Sequence, residues 1–264
     1  MLERIRMRLK GVSRFSPEMK RFLKLPEVIR FVPSEVSNPG LLESAYRILW
    51  KKRHVYSLEI WKGEEEQYFA FSDKREGLQE LLLRLSAVHP SPRMEISQIP
   101  LPEKECFVSA GFLRFEGTPY LLKSLADFSH DPLVLVMAAA QENTFIQFLF
   151  RPEKTVVERL SGESPVYRLR VAVAVFSDDW RRAVSSCDAV LRSFTVLSSP
   201  SCELIPVIPK IPDSGVVLKN ILKRRFIPIK DSFRVTAEEL AAMAHFPGDG
   251  SDSRHRRQGI EDIS

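Results

Sequence analysis

The chain has 264 residues with 39 Lys and Arg against 34 Asp and Glu, a net charge of +5, and hydrophobic and charged fractions of 44% and 28%. It is long enough for one large or two small units with real cores, and its longest apolar run, PLVLVMAAA from Pro132 to Ala140, is far too short to cross a bilayer. Three cysteines without a CxxC spacing argue against a disulfide framework, and the N-terminus lacks the apolar stretch of a signal peptide, which together predict a cytoplasmic protein, or one peripheral at the inner face of a membrane.

The charge is unevenly placed: residues 1–60 carry 13 Lys and Arg against 6 Asp and Glu, so the remainder is slightly acidic. Residues 1–53 predict a basic amphipathic lead and a helix. Leu2, Ile5 and Leu9 share one helical face, ringed by Arg4, Arg6, Arg8 and Lys10; such a face lies on anionic lipid, meets nucleic acid, or packs on the domain behind it. Pro26, Pro33 and Pro39 cut the next stretch into short extended pieces, and Leu41–Arg53 has helical spacing, apolar at Leu42, Ala45, Tyr46 and Leu49.

Residues 54–116 predict a first α+β unit. Val55–Trp61 and Gln67–Ser72 form a hairpin about the charged turn Lys62–Glu66, a helix from Lys74 to Ala87 buries Leu78, Leu81, Leu82 and Leu85, and Arg93–Gln98 is a short strand. After the proline-rich linker 100–105 comes the strand Phe107–Glu116. Residues 117–210 predict a second unit: a helix or strand at Leu133–Ala140, strands at Thr144–Phe150 and Tyr167–Phe176, a helix from Asp178 to Phe194, and a proline-containing edge strand Glu203–Ile208. In residues 211–247 a basic helix, Val216–Phe226, precedes FRVTAEELAAMAHFP (Phe233–Pro247): a strand end, then a helix with Thr236 as N-cap and Glu239 at the capping-box position. Residues 248–264 are too polar to build a core and are expected to be disordered. The fold class that follows is α+β: two ferredoxin-like sandwich units with antiparallel or mixed sheets and helices on one face, preceded by the basic helical lead.

Little points to chemistry. No GxxxxGK[ST] loop cradles a phosphate, so unaided ATP hydrolysis is not expected. The five histidines are scattered, with His130-Asp131 the nearest thing to a metal-ligand pair, and neither metal nor cofactor is called for. The acidic pairs Asp178-Asp179 and Glu238-Glu239 begin helices, where the dipole accounts for them. Phe69, Phe71, Phe145, Phe148 and Phe150 are expected in the core rather than on a base-stacking surface. Lys51–Arg53 and the cluster Lys219, Lys223, Arg224, Arg225, Lys230 and Arg234 offer contacts to nucleic acid or an acidic partner; solvated helix faces are the plainer explanation.

Several blocks, taken in order, resemble the region upstream of the motor in HerA/FtsK-like type IV secretion and conjugation ATPases: SLEI (Ser57–Ile60) with YFAF (Tyr68–Phe71); LQELLLRLSAVHPSPRMEI (Leu78–Ile96), with His89 where Tyr is usual; DPLVLVMAA (Asp131–Ala139); FIQFLFRP (Phe145–Pro152); YRLRVAVAV (Tyr167–Val175); and FRVTAEELAAMAHFP. The resemblance covers residues 55–247. It implies a non-catalytic assembly or interaction domain of a conjugative DNA-transfer or secretion-like motor, docking a separately encoded ATPase to partners or to membrane channel proteins and helping to order an oligomer. Glu239, Leu240, Met243, His245 and Pro247 would then belong to the helix at the junction with the motor. The Walker A loop that follows in the family does not follow in this chain, so no catalytic residue carries over. The alternative is a stand-alone DNA-binding protein using the basic N-terminus and the 219–234 cluster.

Overall fold

A computed structural model describes residue 7 and residues 9–33, 38–153, 165–210, 213–226 and 231–246. The first residues of the expected basic lead, with Arg4, Arg6 and Arg8, lie outside the described residues, as do Lys230, Pro247 and the tail expected to be disordered; from Val12 to Val32 the chain forms two strands and a short helix rather than a helical lead. The elements are β1 (Val12–Phe15), α1 (Pro17–Leu23), β2 (Val28–Val32), α2 (Leu42–Leu49), β3 (Tyr56–Lys62), β4 (Glu66–Ser72), α3 (Arg75–Val88), β5 (Arg93–Ser97), β6 (Cys106–Gly117), α4 (Leu133–Ala139), β7 (Thr144–Pro152), β8 (Val166–Ser177), α5 (Trp180–Ser193), β9 (Cys202–Val207), α6 (Asp213–Leu222), β10 (Phe233–Thr236) and α7 (Ala237–Met243). The protein is α+β.

The strands form one ten-stranded sheet in the order β5-β2-β4-β3-β7-β8-β6-β1, with β9 also on β6 and β10 also on β8. Every pairing is antiparallel. The topology repeats itself. The succession β2-α2-β3-β4-α3-β5 lies in space as β5-β2-β4-β3, and β6-α4-β7-β8-α5-β9 lies as β9-β6-β8-β7. Each half is a strand-helix-strand-strand-helix-strand unit with the same strand order. The two halves meet along their second strands, from Tyr56 opposite Phe150 to Lys62 opposite Thr144, with Glu59 opposite Gln147 at the midpoint. The proline-rich linker after β5 falls between the halves. β6 therefore pairs within the second half, and the first half takes β2, the VIRFV segment between Pro26 and Pro33, as its inner strand.

Side chains alternate across each strand, and both faces of the sheet are covered. On one face Tyr56, Leu58, Ile60, Ile146, Phe148, Val171 and Val173 join the apolar stripes of α2, α3, α4, α5 and α7 in one core. On the other, Trp61, Phe69, Phe145, Ala172, Ala174 and Phe176 pack with Phe15 and with Val217, Leu218, Ile221 and Leu222 of α6. Two-sided cover explains why TFIQFLF and RVAVAVF are nearly all apolar, each buried large side chain contributing about 1.5–3 kcal/mol. The ambiguous Leu133–Ala139 segment is a helix, buried through Leu133, Val136 and Met137. Where α5 crosses β6, a Cβ on Gly111 would lie 2.7 Å from both Leu191 Cδ1 and the Val207 carbonyl oxygen, so only glycine allows that approach.

Candidate functional site

The most concentrated polar chemistry lies in the sheet's interior, where the halves join. Glu59 of β3 and Gln147 of β7 sit opposite one another, on the face that α6 covers. Gln147 Nε2 donates to Glu59 Oε1 at 2.9 Å and to the Ile221 carbonyl at 2.8 Å. Ser57 Oγ donates to Glu59 Oε1 at 2.9 Å, and Arg224 Nη2 donates to Glu59 Oε2 at 2.6 Å. The Arg224 guanidinium lies over the Phe71 ring, 5.0 Å from its centroid.

From β8, Arg170 Nη2 donates to Gln147 Oε1 at 2.7 Å. Its Nη1 donates to the Arg225 carbonyl at 2.6 Å and faces Asp231 Oδ2 at 3.4 Å. The side chains of Arg170, Asp231, Arg224 and Glu59 are 1%, 2%, 1% and 0% exposed, so two guanidinium groups and two carboxylates neutralise one another out of contact with water. Burial pushes Arg170 down and Asp231 up from their ordinary ranges, each opposed by the charge of the other. Guanidinium remains protonated regardless. Glu59 already receives three donors and has no open side toward a substrate. The network fastens α6 across the β3–β7 seam.

On the helix-bearing face the two halves are bridged by the C-terminal segment. β10 pairs with the start of β8, Phe233 opposite Leu169 through Thr236 opposite Val166, and delivers α7. The capping box forms as the sequence predicts: Glu239 N donates to Thr236 Oγ1 at 3.2 Å, and Thr236 N donates to Glu239 Oε2 at 2.7 Å. Glu239 Oε1 also accepts from Leu122 N at 2.8 Å, which ties the helix start to the β6–α4 connection. Burial holds the Glu239 carboxyl above its ordinary range, against the pull of these donors.

Past α7, the Tyr46 hydroxyl of α2 donates to the Ala244 carbonyl. His245 Nε2 lies 3.0 Å from Asp131 Oδ1, and the same oxygen accepts from Leu133 N at the start of α4 at 2.8 Å. Phe246 packs on Phe31 and Tyr68, with ring centroids 5.3 and 5.1 Å away. Next to it, His89 is 1% exposed and neither ring nitrogen has a hydrogen-bond partner; burial, helped by His245, lowers its pKa to about 4.

The proposed junction residues Glu239, Leu240, Met243 and His245 are thus brought together as one buried cluster. The basic candidates are scattered. Lys10, Lys219 and Arg225 are exposed and Lys223 is half-buried. Arg224 departs from the expectation of a surface contact: it is 5% exposed and its charge is engaged by Glu59, because the chain turns inward after α6. Asp131 pairs with His245 rather than with its neighbour His130. Cys187 is buried in the core, and Cys202 is buried at the start of β9.

The residues that sequence reasoning missed are Glu59, Gln147, Arg170 and Asp231. The available signal was a carboxylate and an amide at the centres of two otherwise apolar strands, SLEIW and TFIQFLF. A shallow depression near the β6–β9 end is lined by Glu116, Thr195, Ser199 and Glu203 among others, and the Glu116 carboxylate there accepts from Arg114 Nη2 at 2.6 Å. No group of three or more His, Cys, Asp or Glu that could hold a metal occurs among the described residues, and none of the described helices is long and apolar enough to cross a membrane. No family model matches the chain, and no curated protein matches it.

Proposed function

We propose that the chain is a non-catalytic assembly domain built from two ferredoxin-like units, serving a conjugative or secretion-like DNA-transfer motor by docking its ATPase to partners at the cytoplasmic face of the membrane. The strand order repeated in the two halves supports the ferredoxin-like reading, and the ordered blocks of residues 55–247 support the motor association. One observation carries the non-catalytic part: the buried ionisable pairs Glu59–Arg224 and Arg170–Asp231 and the half-buried pair His245–Asp131 each hold one structural element to another. Groups so engaged are scaffold groups, whereas catalytic groups must present an open side to a reacting atom.

The test is co-purification with the Walker A ATPase encoded nearest to this chain in its genome, together with an ATPase assay on each protein alone. The reading expects a stable complex and hydrolysis only by the motor protein. Hydrolysis by this chain alone, or failure of the two to associate, overturns it.

A further inference from the structure

The two halves end in equivalent edge strands that are finished differently. β9, the last strand of the second half, carries Pro206 opposite Leu113, and proline supplies no donor to a further strand. β5, the last strand of the first half, has no proline, and among the described residues it pairs only with β2. Four of its five residues are exposed, Ile96 at 72% and Met94 at 39%. The register sorts its side chains. Met94 and Ile96 lie opposite Phe31 and Ile29, on the helix-bearing face, and Arg93 and Glu95 lie opposite Val32 and Arg30, on the other. Arg30 Nη1 donates to Glu95 Oε1 at 3.0 Å. An edge strand with an exposed isoleucine is a template for pairing unless something blocks it.

We propose that β5 pairs antiparallel with β5 of a second copy of this chain, continuing the sheet across a two-fold axis at Met94. The occupant follows from the order Arg93-Met94-Glu95. Residues directly opposite in an antiparallel pair share a face and have Cβ atoms about 4.5–5.5 Å apart. With Met94 opposite Met94 of the second copy, Arg93 of each chain faces Glu95 of the other. Two symmetric ion pairs then form on one face, while Met94 meets Met94 and Ile96 meets Pro92 on the other. Moving the axis to Glu95 would set carboxylate against carboxylate, so charge selects the register. The contact is self-complementary, as an isologous dimer requires.

The test is sedimentation velocity over a concentration series up to ~1 mM, the range in which a weak strand pair populates. The expected result is a reversible dimer. Arg93→Glu and Glu95→Arg each place like charges opposite one another at both symmetric positions, so each variant alone should associate roughly tenfold more weakly or worse. Mixed one to one, the two variants restore both ion pairs, because both positions are acidic in one chain and basic in the other, and the heterodimer should form as tightly as the native dimer. Both variants change exposed side chains, so far-ultraviolet circular dichroism should match the native chain. A monomer across the whole series, a dimer indifferent to Arg93→Glu, or a mixture that stays monomeric overturns the proposal. None of these outcomes bears on the motor-docking function.

Discussion

The two faces of the sheet close the same seam by opposite means. Beneath α6 the halves are joined by charge: Glu59 and Gln147 meet across β3 and β7, and Arg170, Arg224 and Asp231 join them in a neutral, buried network. On the opposite face they are joined mainly by apolar packing, with the His245–Asp131 pair and the Glu239–Leu122 hydrogen bond beside it. There α7 is buried along nearly its whole length; Glu239 within it holds Leu122 of the second half, and the residues just after it meet Tyr46, Phe31 and Tyr68 of the first half and Asp131 of the second. The difference teaches where position is specified and where it is only stabilised. Apolar packing tolerates small slips, whereas hydrogen-bonded charges accept one register and penalise every other.

The sharpest way to break the comparison is on the charged side. Arg224→Met leaves Glu59 buried and uncompensated and should cost about 3–5 kcal/mol in urea unfolding. The double change Glu59→Leu with Arg224→Met should cost clearly less than the sum of the single changes, because it removes both charges together. Additive losses would show that the pair contributes nothing as a pair.

On the apolar side the corresponding weakness is acid. The folded pKa of His89, about 4, lies below its ordinary value of 6.5, so the unfolded chain takes up the proton first. Stability from neutral His89 is therefore complete above about pH 6.5 and is lost as pH falls toward 4, by up to ~3 kcal/mol. His89→Leu should flatten that decline in a series of melts between pH 7 and 4; an unchanged slope would assign the acid sensitivity to other groups.

Smaller effects separate capping from surface charge. Thr236→Ala removes the acceptor at the start of α7 and should cost about 1 kcal/mol, visible as a lower urea midpoint. Arg47 pairs with Glu43 and Glu238 at 2.6 and 3.2 Å, but with 39% of its side chain exposed, so Arg47→Ala should cost under ~0.5 kcal/mol beyond the helix-propensity change.

What the sequence made legible was local. VTAEELAAM states its own cap within four residues, and the alternation of YRLRVAVAVF states a strand. What lies over a strand is decided elsewhere. Arg168 and Arg170 look alike in sequence, but α6, some fifty residues on, covers Arg170 and leaves Arg168 half-exposed. β2 was obscured because its five residues sit between two prolines, and only its pairing with β4 and β5 shows it to be an inner strand. The two-unit repeat was legible as an order of elements, but its boundary was not: the strand expected to close the first unit, Phe107–Glu116, is β6, the first strand of the second half.

That repeat has a further consequence at Glu59 and Gln147. Were the halves two identical chains meeting at a true axis, the midpoint of the seam would carry the same residue twice, and glutamate would oppose glutamate. Covalent fusion removes that restriction. Each side of the joint can differ from its counterpart, so one supplies a carboxylate, the other an amide to receive it, and a single helix can lie across both without choosing between equivalent orientations.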